Sequence, residues 1–126
     1  MNYEERLYEE LSHLRGFYKF ELVRIICETT ASQGKTITYG QVGRIIGQSV
    51  GRMDFSKILN ELMKYDIKNG RPLFSSCIVN AEKEMPGIGY FDQLKELGLP
   101  YSKQDWENQF KDCVEYMKKI ATNKAA

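Results

Sequence analysis

The stretch that decides the fold starts with Gly34-Lys35-Thr36-Ile37-Thr38-Tyr39-Gly40-Gln41-Val42 and ends with Arg71-Pro72-Leu73-Phe74-Ser75-Ser76-Cys77-Ile78-Val79. β-Branched residues at its start predict a short strand, and Thr38 followed by Gln41 is the capping-box pattern that begins a helix. That helix ends near Gly47, a longer helix follows, and the second quoted stretch supplies another strand. An order of strand, short helix, turn, longer helix and strand predicts a winged helix-turn-helix.

The rest of the chain adds helices around this core. Its 126 residues suffice for one compact domain. Residues 1–34 are predicted to form two N-terminal helices, Tyr3–Leu14 and Phe17–Ser32. Residues 35–98 are predicted to form the winged-helix core, which includes a strand Leu73–Val79 and a helix Asp92–Leu97. Residues 99–126 are predicted to contain a C-terminal helix, Lys103–Ala121. The predicted fold class is therefore mainly α with a small β wing.

Composition excludes several classes of protein. A charged share of 28% and a hydrophobic share of 42% are typical of globular domains, and no apolar run approaches the ~20 residues of a membrane helix. The first ten residues are rich in glutamate, unlike a secretory leader, which predicts a cytoplasmic protein. The widely spaced Cys27, Cys77 and Cys113 read as free thiols, and a lone His13 argues against a metal site. We expect no metal and no cofactor.

The positive charge is concentrated in the centre of the chain. Residues 1–34 carry a net charge of −2, residues 35–71 carry +4 and residues 72–126 carry −1. A basic cluster in a helix-turn-helix is the electrostatic footprint of a phosphate-binding face, although scattered surface lysines would give the same count. In the longer helix, apolar residues repeat at helical spacing and leave Ser56, Lys57, Asn60, Glu61 and Lys64 facing outward.

Two short motifs resemble the DNA-binding domain of the alkylguanine-DNA alkyltransferases and the alkyltransferase-like proteins. The more specific one is Ile37-Thr38-Tyr39-Gly40-Gln41-Val42 followed by Ile45-Ile46-Gly47, and the other is Gly87-Ile88-Gly89-Tyr90. The resemblance covers about half the chain and implies a helix-turn-helix that binds the minor groove. It also implies that Tyr39 helps rotate a nucleotide out of the duplex and that the glycine-tyrosine segment is a loop beside the active site.

The chemical signature of that family is missing. Its reactive cysteine lies in a Pro-Cys-His-Arg motif, whereas this chain has Ser76-Cys77-Ile78-Val79. The nearest positions to the family's intercalating arginine are Ser56 and Lys57. Without a neighbouring base Cys77 is predicted to be structural, and no other acid–base or nucleophilic arrangement is evident. We therefore expect no enzymatic activity.

Three functions are consistent with these residues. The first is non-catalytic binding of double-stranded DNA through the helix-turn-helix, using Lys35, Tyr39, Arg44, Arg52, Lys57, Asn60, Lys64, Lys68 and Arg71. The second is a protein–protein interaction module, a regulator, inhibitor or assembly subunit, with interface anchors at Tyr90, Phe91, Trp106 and Phe110. The third is lesion recognition of the alkyltransferase-like kind, which only the resemblance implies.

Tyr39 separates the resemblance from its mechanism. If the motif only builds a fold, the ring packs at the start of the short helix and the hydroxyl is dispensable. If the protein handles DNA as the resembling family does, the hydroxyl contacts a backbone phosphate.

Overall fold

The computed structural model describes residue 2, residues 15–47 and residues 53–125. Its elements in chain order are α1 (Arg15–Ser32), β1 (Ile37–Thr38), α2 (Tyr39–Ile46), α3 (Met53–Lys68), a 3-10 helix (Phe74–Cys77), β2 (Ile78–Val79), α4 (Ile88–Glu96) and α5 (Lys103–Ala125). The chain is thus mainly helical with a small sheet, as predicted. The expected helix Tyr3–Leu14 and the turn between α2 and α3 lie outside the described residues. No described helix is long and apolar enough to cross a membrane.

The sheet differs from the predicted wing. Its two strands run parallel, with Ile37 opposite Ile78 and Thr38 opposite Val79. Parallel strands cannot be joined by a tight hairpin, and here α2 and α3 form the connection. An antiparallel hairpin of the kind that makes a wing is absent from the part of the chain that the structure describes.

The strand predicted over Leu73–Val79 is mostly a 3-10 helix. Only Ile78–Val79 is extended. In the residues before it, Ser76 N–H donates to Leu73 C=O at 3.0 Å, and this i to i+3 bond makes a 3-10 turn in place of a strand. Phe74 N–H donates to the carboxylate of Asp66 at 2.9 Å, which fixes where this turn begins. All residues of the turn are buried, so the apolar pattern alone does not distinguish the turn from a strand.

The short helix α2 is built as its sequence predicts. Thr38 accepts from Gln41 N–H at 3.2 Å, and the Gln41 side chain accepts from Thr38 N–H at 3.0 Å. This reciprocal capping box satisfies two amides of the first turn. Gly47 ends the helix in the left-handed conformation, at φ 71°, which glycine adopts without strain. The predicted bounds of α2 are therefore confirmed at both ends.

The core consists of two apolar clusters. The larger one joins α1, α2, α3, the 3-10 helix and α5 around fully buried residues such as Val23, Val42, Leu62 and Phe74. The smaller one lies between α3, α4 and α5. Trp106 belongs to the smaller cluster, and its indole N–H donates to Ser76 C=O at 2.9 Å. The 3-10 helix thus stands between the two clusters and is held by both.

A buried ion pair lies at the end of α3. Asp66 is fully buried, and its Oδ1 lies 3.0 Å from Nε of Arg71, whose side chain is only 10% exposed. The Arg71 guanidinium also stacks over the Phe74 ring at 4.6 Å and lies 3.7 Å from a carboxylate oxygen of Glu28 in α1. Neither Asp66 Oδ1 nor Arg71 Nε makes a directed hydrogen bond. The contact is therefore electrostatic, and it is isolated from water.

Burial raises the pKa of Asp66 from 3.8 to about 6, against the opposing effects of Phe74 N–H and the Arg71 charge. A pKa that is higher in the folded state means that the folded protein binds the proton more tightly. The stability due to Asp66 is therefore fully present below pH 3.8 and is lost as the pH rises through about 6. The amount is on the order of 3 kcal/mol.

Substitution Asp66→Asn removes this titration. We expect the free energy of unfolding of the wild type to fall, relative to that of Asp66→Asn, as the pH rises from about 4 to about 7. Urea denaturation of both proteins at a series of pH values measures this difference. If the wild type instead gains stability relative to Asp66→Asn as the pH rises, Arg71 lowers the pKa of the Asp66 carboxyl more than burial raises it.

Candidate functional site

The described residues enclose a pocket of about 420 Å³ between α3 and α4. One wall comes from the face of α3, the floor from Tyr39 and the 3-10 helix, and the opposite rim from the start of α4. The residues that line it are Tyr39, Phe55, Ser56, Leu59, Asn60, Met63, Ser75, Asn80, Gly87, Ile88, Gly89 and Tyr90. Its size and its mainly apolar and aromatic lining are typical of a small-molecule or nucleobase site.

Tyr39 connects the two sides of this pocket. Its ring packs edge-on against Phe55 of α3, with centroids 6.3 Å apart, and its hydroxyl accepts from Gly87 N–H at 2.9 Å. Burial raises the pKa of this phenol, so it stays protonated at neutral pH. The hydroxyl thus makes a contact within the fold, between α2 and the residue that precedes α4. Its own proton remains available to a further acceptor.

The glycine-tyrosine segment is helical and not a loop. Helix α4 begins at Ile88, with Gly87 as its N-cap, so Gly89 and Tyr90 lie in its first turn. Tyr90 points inward and shares a 2.7 Å hydrogen bond with Ser76 Oγ, and burial raises its pKa. The implied loop beside an active site is thus replaced by a helix start, which the half-buried Tyr39 and the buried Tyr90 anchor.

Most of the expected DNA-contacting cations lie on the surface. The side chains of Lys35, Arg44, Lys57, Lys64 and Lys68 are exposed, and none forms an ion pair with another described residue. Asn60 is half-buried at the pocket wall. Arg52 lies outside the described residues. Arg71 is wrongly assigned to the surface, because its charge is used inside the core with Asp66.

Two of the four aromatic residues expected to anchor a protein interface are buried. Tyr90 is 7% exposed and Trp106 is 8% exposed, so both belong to the core. Phe91 and Phe110 are half-buried and pack against the two clusters. Their helical spacing marks the inner faces of α4 and α5, which is the usual meaning of such a stripe.

No described cysteine is placed for chemistry. Cys27, Cys77 and Cys113 are all fully buried. A hydrogen bond with Cys77, together with burial, raises the pKa of Cys113, and burial raises that of Cys27. Among the described residues, no group of three or more His, Cys, Asp or Glu side chains could hold a metal ion. The pocket therefore offers shape and hydrogen bonding, and none of the three thiols lines it.

Several pocket residues escape sequence reasoning. Ser75 and Asn80 line the pocket although nothing in their local pattern marks them, whereas Ile88 lies in the Gly87-Ile88-Gly89-Tyr90 motif. They come from three separate elements that only the tertiary fold brings together. Ser56 and Asn60 do carry a signal, since they lie on the outward face of α3.

Compared with known protein families, with curated proteins and with solved structures, the chain shows no match. The interpretation of the site accordingly depends on its own residues.

Substitution Tyr39→Phe tests the bond between α2 and α4. It leaves the partly buried Gly87 N–H without an acceptor, so we expect the free energy of unfolding to fall by about 1–2 kcal/mol. Tyr101→Phe is the control, because Tyr101 is 51% exposed. Urea denaturation that gave equal stabilities for the two variants would contradict this role.

Proposed function

We propose that this protein binds double-stranded DNA through α2 and α3 without altering it. The supporting observation is the charge that remains exposed once the buried pair is removed. Asp66 and Arg71 cancel each other in the core, which leaves five exposed cations and a single exposed carboxylate, Glu61, among the described side chains of residues 35–71. None of the five cations has an ion-pair partner among the described residues, so all are available to phosphates.

The spacing on α3 concentrates these charges on one face. Lys57, Lys64 and Lys68 follow one another by seven and four residues, so they lie along one stripe of the helix, and Glu61 lies on the same stripe between Lys57 and Lys64. Ser56 and Asn60 lie beside this stripe, at the pocket wall. A duplex aligned with the stripe would meet lysines at its backbone and amide or hydroxyl groups at its bases.

The binding is proposed to be non-catalytic. All three cysteines are buried, and burial raises the pKa of Cys27 and Cys113. Thiolates are the nucleophiles in alkyl transfer, and buried neutral thiols react poorly. The protein on this proposal recognises DNA and leaves its covalent structure unchanged.

Substitution Lys57→Glu tests the proposal. Reversing this charge in the stripe should weaken binding to a short labelled duplex roughly tenfold or more at low salt, because phosphate contacts dominate such affinity. Lys111→Glu makes the same change of net charge in an exposed residue of α5 and should have little effect. Fluorescence anisotropy titrations at low and moderate salt measure both.

Two results would contradict DNA binding. One is the absence of any binding to the duplex at low salt. The other is equal loss for Lys57→Glu and Lys111→Glu, which would mean that only total charge matters. Recovery of one stoichiometric protein partner that resists nuclease would instead favour the interaction-module hypothesis.

The pocket favours lesion recognition as a second candidate function. It opens beside the lysine stripe, and its aromatic and apolar walls suit a planar base that has left the duplex. Such a protein would bind the damaged base and release it unchanged, since no thiol is exposed.

Duplexes with and without one O6-alkylguanine test this candidate. We expect tighter binding to the alkylated duplex, by roughly fivefold or more, and no change in the intact mass of the protein after incubation. Asn60→Leu narrows the pocket. It should abolish the preference for the alkylated duplex without reducing the affinity for the unmodified duplex. Equal affinities for the two duplexes would exclude the candidate, and a mass gain lost in Cys77→Ser would show alkyl transfer.

A further inference from the structure

Ile88 is the most exposed of the large hydrophobic residues in the described part of the chain. Its side chain is 78% exposed, compared with 50% for Ile25 and 52% for Ile45. It is the first residue of α4 and stands at the rim of the pocket. Isolated exposed aliphatic residues are common on protein surfaces, so its exposure alone decides nothing.

The backbone on both sides of Ile88 is fixed. Gly87 N–H is bound to the Tyr39 hydroxyl at 2.9 Å, and the buried Tyr90 is bound to Ser76 at 2.7 Å. An exposed aliphatic side chain is therefore flanked by the hydrogen bonds of the half-buried Tyr39 and the buried Tyr90. A side chain held in this way loses little further backbone entropy when it inserts into a partner.

The surroundings of Ile88 leave room for a close approach. Gly87 precedes it and Gly89 follows it, and a Cβ added at Gly89 would meet no atom within 4 Å. No bulky neighbour in sequence therefore shields the isoleucine. A flat partner such as a base pair can reach the side chain from the open side.

The partner is indicated by charge. Ile88 lines the same pocket as Ser56 and Asn60 of α3, and the unpaired Lys57 and Lys64 lie near those two residues on the helix. A polyanion bound along the lysine stripe would pass the pocket mouth, where Ile88 projects. Proteins that bend DNA use isolated isoleucine, leucine or phenylalanine side chains as wedges between base steps.

We infer that Ile88 is a wedge that inserts between stacked bases of the bound duplex. The inference rests on the proposed DNA binding, and it adds that binding unstacks a base step. The hydrogen-bonded start of α4 sets the depth of insertion, and the lysines on one stripe of α3 hold the DNA backbone.

The test uses short duplexes that contain 2-aminopurine, which fluoresces more strongly when it is unstacked. With saturating wild-type protein we expect its fluorescence to rise at least about twofold. Ile88→Ala should abolish the rise and weaken binding roughly fivefold to tenfold, since it removes most of the apolar surface that is buried on insertion. Ile88→Leu should preserve both, because an aliphatic wedge remains.

Ile25→Ala is the matched control, because it truncates a half-exposed isoleucine of α1 outside the pocket. It should leave both the affinity and the fluorescence unchanged. Melting temperatures of all variants separate effects on folding from effects on binding. Because Ile88 is exposed, we expect the melting temperature of Ile88→Ala to equal that of the wild type.

Failure of the wedge and failure of DNA binding give different results. If the wild type binds the duplex without a rise in fluorescence, or if Ile88→Ala behaves like the wild type, the wedge is wrong and DNA binding stands. If the wild type does not bind the duplex at low salt, both proposals fall.

Discussion

The contact between Asp66 and Arg71 is the constraint on which the rest of the structure depends. A carboxylate and a guanidinium removed from water are costly unless each has a partner, so neither can leave without exposing the other's charge to the core. Asp66 lies in the last turn of α3, and its second oxygen accepts from the amide that begins the 3-10 helix. Arg71 reaches α1 through Glu28. One pair thereby sets the position of three elements around the larger cluster.

The shape of the pocket depends on the arrangement that the Asp66–Arg71 contact fixes. Once the 3-10 helix is fixed, Ser76 presents a carbonyl to Trp106 of α5 and a hydroxyl to Tyr90 of α4. Tyr39 reaches from α2 to the residue before α4. The start of α4 is therefore held from two directions, one through the core and one across the pocket. Rigid walls of this kind favour a partner that fits, since little conformational entropy remains to be lost.

Local signals in the sequence predict local structure well and long-range geometry poorly. The Thr38 capping box and the Gly47 cap depend on neighbouring residues, and both are confirmed. The prediction of a strand over Leu73–Val79 is wrong for most of its residues, because a buried 3-10 turn has the same apolar composition as a buried strand. Arg71 is wrongly predicted to contact DNA because the burial of its partner Asp66 depends on tertiary packing. A count of charges along the sequence cannot show that burial. The pocket combines residues of α2, α3, the 3-10 helix, the segment after β2 and the start of α4, so no single motif could have revealed it.

The parallel pairing of β1 with β2 has a consequence for folding. Each strand has only two residues, and the chain between them contains both α2 and α3. Closing so large a loop costs entropy that two residue pairs cannot offset alone. We expect the sheet to form late, after both helices have packed into the core. Its integrity therefore reports on the assembly of the whole segment from β1 to β2.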